Sequence, residues 1–561
     1  MMITIESALS FTTSRVFASS AVIAMALMIP ATLVAEAAVS ADQPSVTVQM
    51  ALTETDEAGG TVVVPGMIRC RDARGEIISI PELLNRGTGI ALQGDDQRRE
   101  IQEWSVLPGA TIVSLPREPI TIEAFSGLDT ELTTVRKDLT AETESIQIAL
   151  KPFGRTELKG WQAANTHLHI MKLSREECDR YLTEIPAADR LDALFVSHLE
   201  RAVADATYIT NRYTTDDLSA LTKKTGVVFG WGEEHRHNMS SHSEGFGHVM
   251  LLNIPKLIQP VSIGQGIMKQ GTDGIPLQRG IRTARKDGGS IVWCHNGWGR
   301  ESLPNLVTKQ VDAMNIFDGG TRSSYDDSFY RYLNTGLRVP FSTGTDWSLY
   351  DFSRVYVQMN DELTIGNWLK NLSAGRSFIT NGPLLSFAVN DQTIGETVRL
   401  SGDNRKIRVQ ASASARRKFD RLEVILDGEV IRSVSCEASG SHWIARIDET
   451  IPVSRSGWIA VRTPSPSVPD HPVHQTPTAL NEYGREMFSH TSPIYVEIDA
   501  KRHFDAEAAS GLLREMMRNR DLIESECQFA DAHERAHVLE VHDDGISELS
   551  RQISTYRGTK E

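Results

Sequence analysis

The chain has 561 residues and a mass of 62.1 kDa, which is long enough for several hydrophobic cores. Hydrophobic residues make up 40% of it and charged residues 23%, proportions typical of globular proteins. The formal net charge of −15 argues against nucleic acid or an anionic membrane surface as the main partner, because phosphate binding favours a basic surface. We expect a small-molecule substrate as the partner and leave a homodimer open.

The N-terminal segment has the pattern of an export signal. Arg15 precedes an apolar run over Val16–Pro30 within an uncharged segment that extends to Ala35, and small residues follow between Ala35 and Ala41. The uncharged run is also compatible with a membrane anchor, but Pro30 and the small residues beyond it favour cleavage. We therefore predict a signal peptide over residues 1–41, export to the periplasm or secretion, and no stable membrane insertion afterwards.

Residues 42–158 have the pattern of a β-rich domain. Short apolar runs separated by Gly, Pro, Asn and Asp predict strands at Thr61–Val64, Ala110–Leu115 and Ile146–Leu150. We expect a small β-sandwich.

Residues 159–383 alternate strand patterns with helical ones. Helical periodicity predicts helices at Leu191–Ala206 and Ile281–Asp287, and the second is followed by Gly288-Gly289, as at a helix C-terminus. Such alternation is typical of βα units around a largely parallel sheet or barrel. The predicted fold class is therefore α/β.

Residues 384–500 return to strand patterns. Lys406–Ala411 alternates polar and apolar residues, and Leu422–Leu426 is followed by Asp427-Gly428, a hairpin turn signal. We predict a second sandwich-like domain here. Residues 501–561 are amphipathic and contain few turn residues, which predicts a helical tail that packs on the rest of the protein.

Five strand-like segments of the central region carry a histidine or a carboxylate at one end. His167 and His169 lie two residues apart, so on a strand both imidazoles point the same way. The other candidates are Glu234, with Glu233 as an alternative, and His248, His295 and Asp346. The strand ends of an α/β barrel surround one mouth, where imidazoles and carboxylates would form a site for a divalent metal. Three more histidines, His235, His237 and His242, are predicted to lie on a loop over the site, solvated by default, with contact to substrate as the alternative.

The order of these motifs resembles that of a known superfamily. Asn165–His169, Gly232–Glu234, Gly247–His248, Cys294–His295 and Gly344–Asp346 are similar to the motifs of the polymerase and histidinol phosphatase (PHP) superfamily. Trp161 and the segment Ala374–Leu384 resemble its CehA/McbA branch of carbaryl-hydrolase-like enzymes.

The resemblance implies a distorted (β/α)7 barrel between the two β-rich domains, with one or two divalent ions, zinc or manganese. The implied metal ligands are His167, His169, Glu234, His248, His295 and Asp346. Two motifs depart from the wider superfamily, because Thr210-Asn211-Arg212 and Asp346-Trp347-Ser348 replace metal-binding triplets. These departures argue against a third metal.

The expected activity is hydrolysis of a carbamate, ester or amide bond by a metal-activated water. Glu234 and Asp346 are the expected catalytic carboxylates, and Asp346 would accept the proton of the water. Arg354 and Arg376 are candidates for holding developing negative charge, with a structural ion pair as the alternative for each.

Two other functions remain open. A phosphoesterase would need more cationic side chains at the mouth than the sequence places there. A non-catalytic, metal-stabilised envelope binding protein would be indicated by a metal with no open coordination position.

Overall fold

The structure is a computed structural model that describes residues 44–90, 99–155, 158–201, 208–240, 245–268, 271–321, 323–402, 405–466 and 479–558. The predicted signal peptide and His242 lie outside these ranges. The described chain has a mixed α/β fold that consists mostly of strands, so the predicted α/β class is confirmed. None of its helices combines the length and the apolar character that crossing a bilayer requires.

The N-terminal region forms two sheets around one apolar core. Its elements are β1 Ser45–Thr55, β2 Thr61–Val64, β3 Gly66–Arg71, β4 Leu84–Asn85, α1 Arg99–Gln102, β5 Ser105–Leu107, β6 Thr111–Pro116, β7 Pro119–Phe125, β8 Thr133–Asp138 and β9 Ser145–Ala149. One sheet has the order β2-β1-β6 with β9 also paired to β1, and the other has the order β4-β5-β3-β7-β8. Val48 and Met50 of β1 share a buried cluster with Ile68 of β3 and Ile122 of β7, so both sheets contribute to one core.

The central region contains a curled sheet with helices packed around it. Its strands are β10 Trp161–His169, β11 Ala193–His198, β12 Val228–His237, β13 Gly247–Leu252, β14 Ser262–Ile263, β15 Ser290–Trp293, β16 Ala313–Asn315, β17 Phe341–Ser342, β18 Asp346–Trp347, β19 Arg354–Gln358 and β20 Ser377–Thr380. Its helices are α2 Arg175–Ala188, α3 Thr215–Thr225, α4 Gln265–Met268, α5 Leu277–Lys286, α6 Ser302–Val307, α7 Arg331–Leu333 and α8 Ile365–Ser373.

The strand pairing brings the ends of distant strands to one edge. β10, β11 and β12 are parallel, and β18 pairs in parallel with the end of β10, where Leu168 lies opposite Asp346. β13 runs antiparallel between β12 and β15, with Arg236 opposite His248. Because β13 is reversed, its first residues lie at the edge where its neighbours end. A histidine at the start of β13 therefore joins groups at the ends of β10 and β12.

One predicted helix in this region is wrong. Ala193–His198 of the predicted helix Leu191–Ala206 is strand β11, whose first five residues are all buried. A strand that is buried on both faces has a continuous apolar run, which periodicity alone does not separate from a buried helix. The other prediction agrees with the structure, because α5 ends at Lys286 before Gly288, which has a φ of +84°.

The third region also consists of two sheets. Its strands are β21 Leu384–Val389, β22 Gln392–Thr393, β23 Thr397–Leu400, β24 Lys406–Ala415, β25 Arg421–Leu426, β26 Glu429–Ser435, β27 Glu437–Ser439, β28 His442–Pro452, β29 Gly457–Arg462, β30 Ser489–Thr491 and β31 Ile494–Ile498. β25 and β26 form the predicted hairpin, with positive φ at both Asp427 and Gly428. One sheet has the order β22-β21-β24-β28-β27. The other continues the central sheet, because β30 pairs with β20.

The C-terminal tail is a pair of helices, α9 Ala506–Glu526 and α10 Ala532–Gly558. The buried face of α9 carries Leu512, Met516 and Ile523, which belong to the core of the central region. Gly545 of α10 approaches α6 so closely that a Cβ atom there would lie 2.7 Å from Cβ of Pro304. The tail therefore packs on the central region, as its amphipathic pattern predicts.

Candidate metal centre

Four buried side chains converge where the end of β10 meets the second half of β12 and the start of β18. Nε2 of His167 lies 3.1 Å from Nε2 of His169 and 3.2 Å from Oδ1 of Asp346. Oε2 of Glu234 lies 3.1 Å from Nε2 of His169 and 3.8 Å from Nε2 of His167. One ligand atom from each of these residues thus lies within reach of a single ion.

A second group shares Glu234 with the first. Oε1 of Glu234 lies 3.1 Å from Nδ1 of His248 and 3.9 Å from Nε2 of His295. The two oxygens of Glu234 therefore face different groups of histidines. All six residues predicted as ligands lie in these two groups, and a carboxylate between them is placed to bridge two ions.

Strand geometry determines which glutamate joins the groups. Successive side chains of a strand point to opposite faces, so Glu233 and Glu234 cannot both face the cluster. Glu233 points away, where it accepts a hydrogen bond from the backbone N–H of Ile258 at 2.8 Å and lies 3.0 Å from Nδ1 of His235. The structure therefore places Glu234 at the cluster.

Hydrogen bonds orient the imidazoles from outside the cluster. Nδ1 of His169 donates to the carbonyl of Ser197 at 3.0 Å. Asp318 accepts from Nδ1 of His167 at 2.8 Å and from Nδ1 of His295 at 3.0 Å. A proton on each Nδ1 leaves the Nε2 lone pair free to bind a metal, as in carboxylate–histidine–metal arrangements.

The charges at the cluster also depend on burial. Burial raises the pKa of Asp346, and the neighbouring negative charge of Glu234 raises it as well. Burial lowers the pKa of His248 to about 3, with a further contribution from the positive charge of Arg236. A neutral imidazole beside a buried carboxylate is a favourable state for metal ligation.

The residues of the cluster fit divalent cations. Among the described residues, Oδ1 of Asp346 and Nδ1 of His248 are buried without a hydrogen bond of good geometry, although Nε2 of His167 and Oε1 of Glu234 lie 3.2 and 3.1 Å from them. Such atoms are costly to bury unless a cation satisfies them. Nε2 of His167 and Nε2 of His169 also lie 3.1 Å apart, close enough for one cation to bind both. A set of imidazole and carboxylate ligands without thiolate suits zinc or manganese.

The backbone around the cluster is strained. His295, Asn296, Asp346 and Ser348 all have positive φ, between 45° and 60°, although none is glycine. Such conformations cost about 1–3 kcal/mol each and cluster at functional sites. Gly344 is required for a different reason, since a Cβ atom there would lie 2.6 Å from Cβ of His167. Two of the predicted ligands thus depend on an unfavourable local backbone.

Comparisons with known proteins give little beyond this geometry. No protein-family model matches the chain, and no curated protein matches it. A solved structure from Bacteroides vulgatus, described as a two-domain protein containing a predicted PHP-like metal-dependent phosphoesterase, is similar over 55% of this chain and 92% of its own. The two are 11% identical, with a TM-score of 0.31. The chemistry of the site is therefore argued from its own residues.

Two predicted catalytic residues lie elsewhere, which corrects their assignment to the site. Arg354 is buried, and its guanidinium donates to the backbone carbonyls of Asp189 and Phe352. Arg376 donates to the side chain of Asn371 at 3.0 Å. β19 pairs antiparallel with β10 over Trp161–Ala164, towards the start of β10 rather than the end that carries His169, and β20 pairs with β19.

The predicted histidine loop is also different in the structure. His235 and His237 lie within β12 and are buried, so the prediction of a solvated loop is wrong for both. His235 contacts Glu233, and Nε2 of His237 lies 3.1 Å from Oδ1 of Asp273. A histidine with a carboxylate partner can be buried at low cost, and the sequence did not reveal these partners.

Sequence analysis missed two charged residues at the cluster. Asp318 follows strand β16, the same position relative to a strand that identified His295 and Asp346. Arg236 lies two residues beyond Glu234 on the same face of β12, with Nη1 3.5 Å from Oε2 of Glu234. The strand-end pattern could have found Asp318, and the alternation of β12 could have found Arg236.

A cleft of about 670 Å³ opens onto the cluster. His295 and Asp346 line it, and they are the most exposed of the six grouped side chains, at 11% and 7%. Trp298 and Trp347 form aromatic parts of its wall. The remaining wall residues come from the segment that contains His295 and from two further parts of the chain, and they are Asn296, Gly297, Gly299, Arg300, Gly319, Thr321, Ser323, Arg331, Glu515 and Asn519.

Proposed function

We propose that this protein is a metal-dependent hydrolase of a small molecule. The observation that carries the proposal is the pair of ligand groups that share Glu234 and reach a cleft through His295 and Asp346. A structural metal site is usually closed by four protein ligands, whereas a catalytic site has access for water and substrate. Access through the cleft therefore favours an enzyme rather than a binding protein whose metal only stabilises the fold.

The residues of the chain supply the conditions for this chemistry. A divalent cation in such a site lowers the pKa of water and polarises the bond to be broken. Asp346 lines the cleft and has a buried Oδ1 without a hydrogen-bond donor in the described chain, so it can accept the proton of an attacking water. Asp318 holds His167 and His295 in the tautomer that presents Nε2 to the cluster.

A carbamate, ester or amide bond is the first candidate for cleavage. It follows from the resemblance to the CehA/McbA branch, and the distorted PHP-type barrel is part of the same proposal. The aromatic side chains of Trp298 and Trp347 at the cleft would accept the apolar part of such a substrate.

A phosphoester is the second candidate, and Arg236 favours it. Its guanidinium lies beside the shared Glu234, and the residue is only 6% exposed. Within the described chain its buried Nε has no hydrogen-bond partner. A guanidinium that is partly unpaired beside the metal ligands is suited to the charge on a transferring phosphoryl group, a role for which the sequence had suggested Arg354 and Arg376 instead.

The test combines metal content with a substrate panel. Purified protein is measured by plasma mass spectrometry and assayed with 1-naphthyl carbamate, 4-nitrophenyl acetate and bis(4-nitrophenyl) phosphate. We expect one or two zinc or manganese ions per chain and turnover of at least one substrate. The double variant His167→Ala/His169→Ala should lose both metal and turnover. Arg236→Gln should lower phosphodiester turnover by at least 10-fold and leave acyl turnover nearly unchanged if the second candidate is correct.

His442→Ala is the matched control, because this histidine lies 3.2 Å from Glu131 at the contact between the first and third regions. It should keep the metal content and the turnover of the wild type. A folded protein that takes up no metal on reconstitution would contradict the proposal. Bound metal without turnover of any of the three substrate types would favour the binding protein instead.

A further inference from the structure

We propose that the far wall of the cleft binds an anionic group of the substrate. This wall consists of Arg300, Arg331, Glu515 and Asn519, and we call it the arginine wall. The inference rests on the proposed hydrolase function and adds a substrate class to it. The substrate would carry, besides the bond that is cleaved, a carboxylate or a phosphate at a distance from that bond.

The contacts within the wall leave a surplus of positive charge. Arg331 donates to both oxygens of Glu515, from Nη1 to Oε2 at 2.6 Å and from Nη2 to Oε1 at 3.3 Å, and Nη2 also donates to the hydroxyl of Tyr332 at 2.6 Å. Arg300 donates through Nη1 to Oδ1 of Asn519, a neutral partner, at 3.1 Å. The wall therefore has two guanidinium groups and one carboxylate, a net charge of +1.

Both guanidinium groups also keep unused donors. In the described part of the chain, Nε of Arg300 and Nε of Arg331 are buried without a hydrogen-bond acceptor. A planar guanidinium donates two parallel hydrogen bonds to a carboxylate or a phosphate. An anion in the cleft would balance the surplus charge of the two guanidinium groups that line it, which a neutral substrate cannot do.

The tail holds this wall in a fixed position beside the metal centre. Nε2 of His542 on α10 donates to the backbone carbonyl of Arg300 at 3.1 Å. Asp273 and Gln528, which lies between α9 and α10, exchange two hydrogen bonds of 2.8 and 2.9 Å. Arg300 is five residues beyond His295, so the same segment contributes to the cluster and to the wall. A binding surface fixed in this way selects substrates at little entropic cost.

Binding of simple anions to the metal-loaded protein tests the inference without any turnover. Fluorescence of Trp298 and Trp347, which line the cleft, is followed during titration with glutarate, inorganic phosphate or neutral glutaramide. We expect glutarate or phosphate to bind and glutaramide not to bind. Arg300→Gln and Arg331→Gln should each weaken that binding by about 10-fold, the effect of one charged hydrogen bond. Glu515→Gln should strengthen it, because it removes the anion that competes for Arg331.

Arg518→Gln is the matched control, since Arg518 is an exposed arginine of α9 next to Asn519. It should leave anion binding within twofold of the wild type. The His167→Ala/His169→Ala variant separates the wall from the metals, because an anion held by the wall should still bind to it. Binding that is lost in this variant but unchanged in Arg300→Gln and Arg331→Gln would overturn the inference.

A kinetic comparison completes the test. 4-Carboxyphenyl phosphate is compared with phenyl phosphate, and mono(4-nitrophenyl) glutarate with 4-nitrophenyl pentanoate. We expect Arg300→Gln to raise KM for the substrate of each pair that carries the carboxylate, with little change in its kcat. KM for phenyl phosphate and for 4-nitrophenyl pentanoate should stay unchanged. Hydrolysis without anion binding would refute the arginine wall alone. Anion binding that depends on the two arginines, without any hydrolysis, would refute the proposed function alone.

Discussion

Asp318 connects the two ligand groups, although it points at them from outside. Its two carboxylate oxygens accept from His167 of one group and from His295 of the other, and one oxygen also accepts the backbone N–H of His295 at 2.9 Å. Burial alone would raise the pKa of Asp318, but the neighbouring His295 and His167 hold that pKa below its usual range. The carboxylate therefore stays ionised and fixes both rings.

Asp318→Asn should weaken metal binding while it leaves every metal ligand in place. Loss of the carboxylate charge lowers the basicity of both imidazoles, and changes of this kind cost about 10–100-fold in metal affinity. The affinity is measured by competition with a chelator. Asp312→Asn is the control, because Asp312 lies near the start of β16 and binds Arg285. Equal affinities of the two variants would contradict this role of Asp318.

Glu301 gives a second prediction at the scale of one residue. It is fully buried, and it accepts the backbone N–H groups of Leu277 and Gln278 at the start of α5, at 3.1 and 3.0 Å. Burial raises its pKa to about 8, against the opposing effect of these two hydrogen bonds. The folded protein therefore binds a proton at Glu301 more tightly than the unfolded chain does.

The sign of the pH dependence follows from this difference. Between the ordinary pKa of 4.5 and the raised value near 8, the folded state binds more protons, so Glu301 makes stability fall as pH rises. The slope has an upper limit of about 1.4 kcal/mol per pH unit. Glu301→Gln removes this contribution and should flatten the curve. Urea unfolding of metal-free wild type and variant at pH 5, 6.5 and 8 measures it, and parallel curves would contradict the assignment.

At the scale of elements, most of the site was predictable from strand patterns. The segments that end at His169 and Glu234 are strongly apolar, and the structure has β10 and β12 there. The reversed direction of β13 was not visible, because periodicity is the same in both directions. His248 was predicted as the residue that opens an apolar strand, and the structure explains its place by the antiparallel pairing of β13.

The positions of the arginines relative to the site could not be predicted from the sequence. Arg354 was a candidate for holding developing negative charge, but β19 runs back along β10 and the guanidinium donates to the backbone carbonyl of Asp189 instead. Arg300 and Arg331 reach the cleft through contacts with α9, more than 180 residues further along the chain. Contacts over such separations depend on how helices dock, which no local pattern encodes.

Substitutions at two glycines of the tail test how closely its helices must pack on the central region. Gly545→Val should destabilise the packing of α10 on α6, because even a Cβ atom would overlap Pro304 and overpacking costs about 1–3 kcal/mol. Gly511→Ala on α9 meets only Nη2 of Arg514, at 4.0 Å, and should stabilise the protein by about 0.5–1 kcal/mol. Thermal unfolding of each variant and hydrogen exchange of α10 measure these two changes in stability. A neutral Gly545→Val variant would mean that α10 can move away without loss.

At the scale of the whole molecule, buried ion pairs join the regions. Glu54 and Asp129 of the N-terminal region bind Arg190, which follows α2. Arg86 binds Oδ2 of Asp189 at 2.6 Å and donates to the carbonyl of Leu349, and its guanidinium carbon lies 5.0 Å from the ring centroid of Tyr483. One fully buried side chain thus contacts all three regions, so we expect them to unfold together.

Arg86→Met should destabilise the whole protein by about 3–5 kcal/mol, because it leaves the buried carboxylate of Asp189 without its cation. Arg86→Met/Asp189→Asn should recover part of this loss, since no unpaired charge remains. Urea unfolding followed by tryptophan fluorescence and by far-ultraviolet circular dichroism should give coincident transitions in both variants. Arg74→Met is the control, because Arg74 is 79% exposed where it pairs with Asp72, and such pairs contribute about 0–1 kcal/mol. Separate transitions, with the N-terminal region unfolding first, would show that Arg86 only anchors that region and does not couple it to the metal centre.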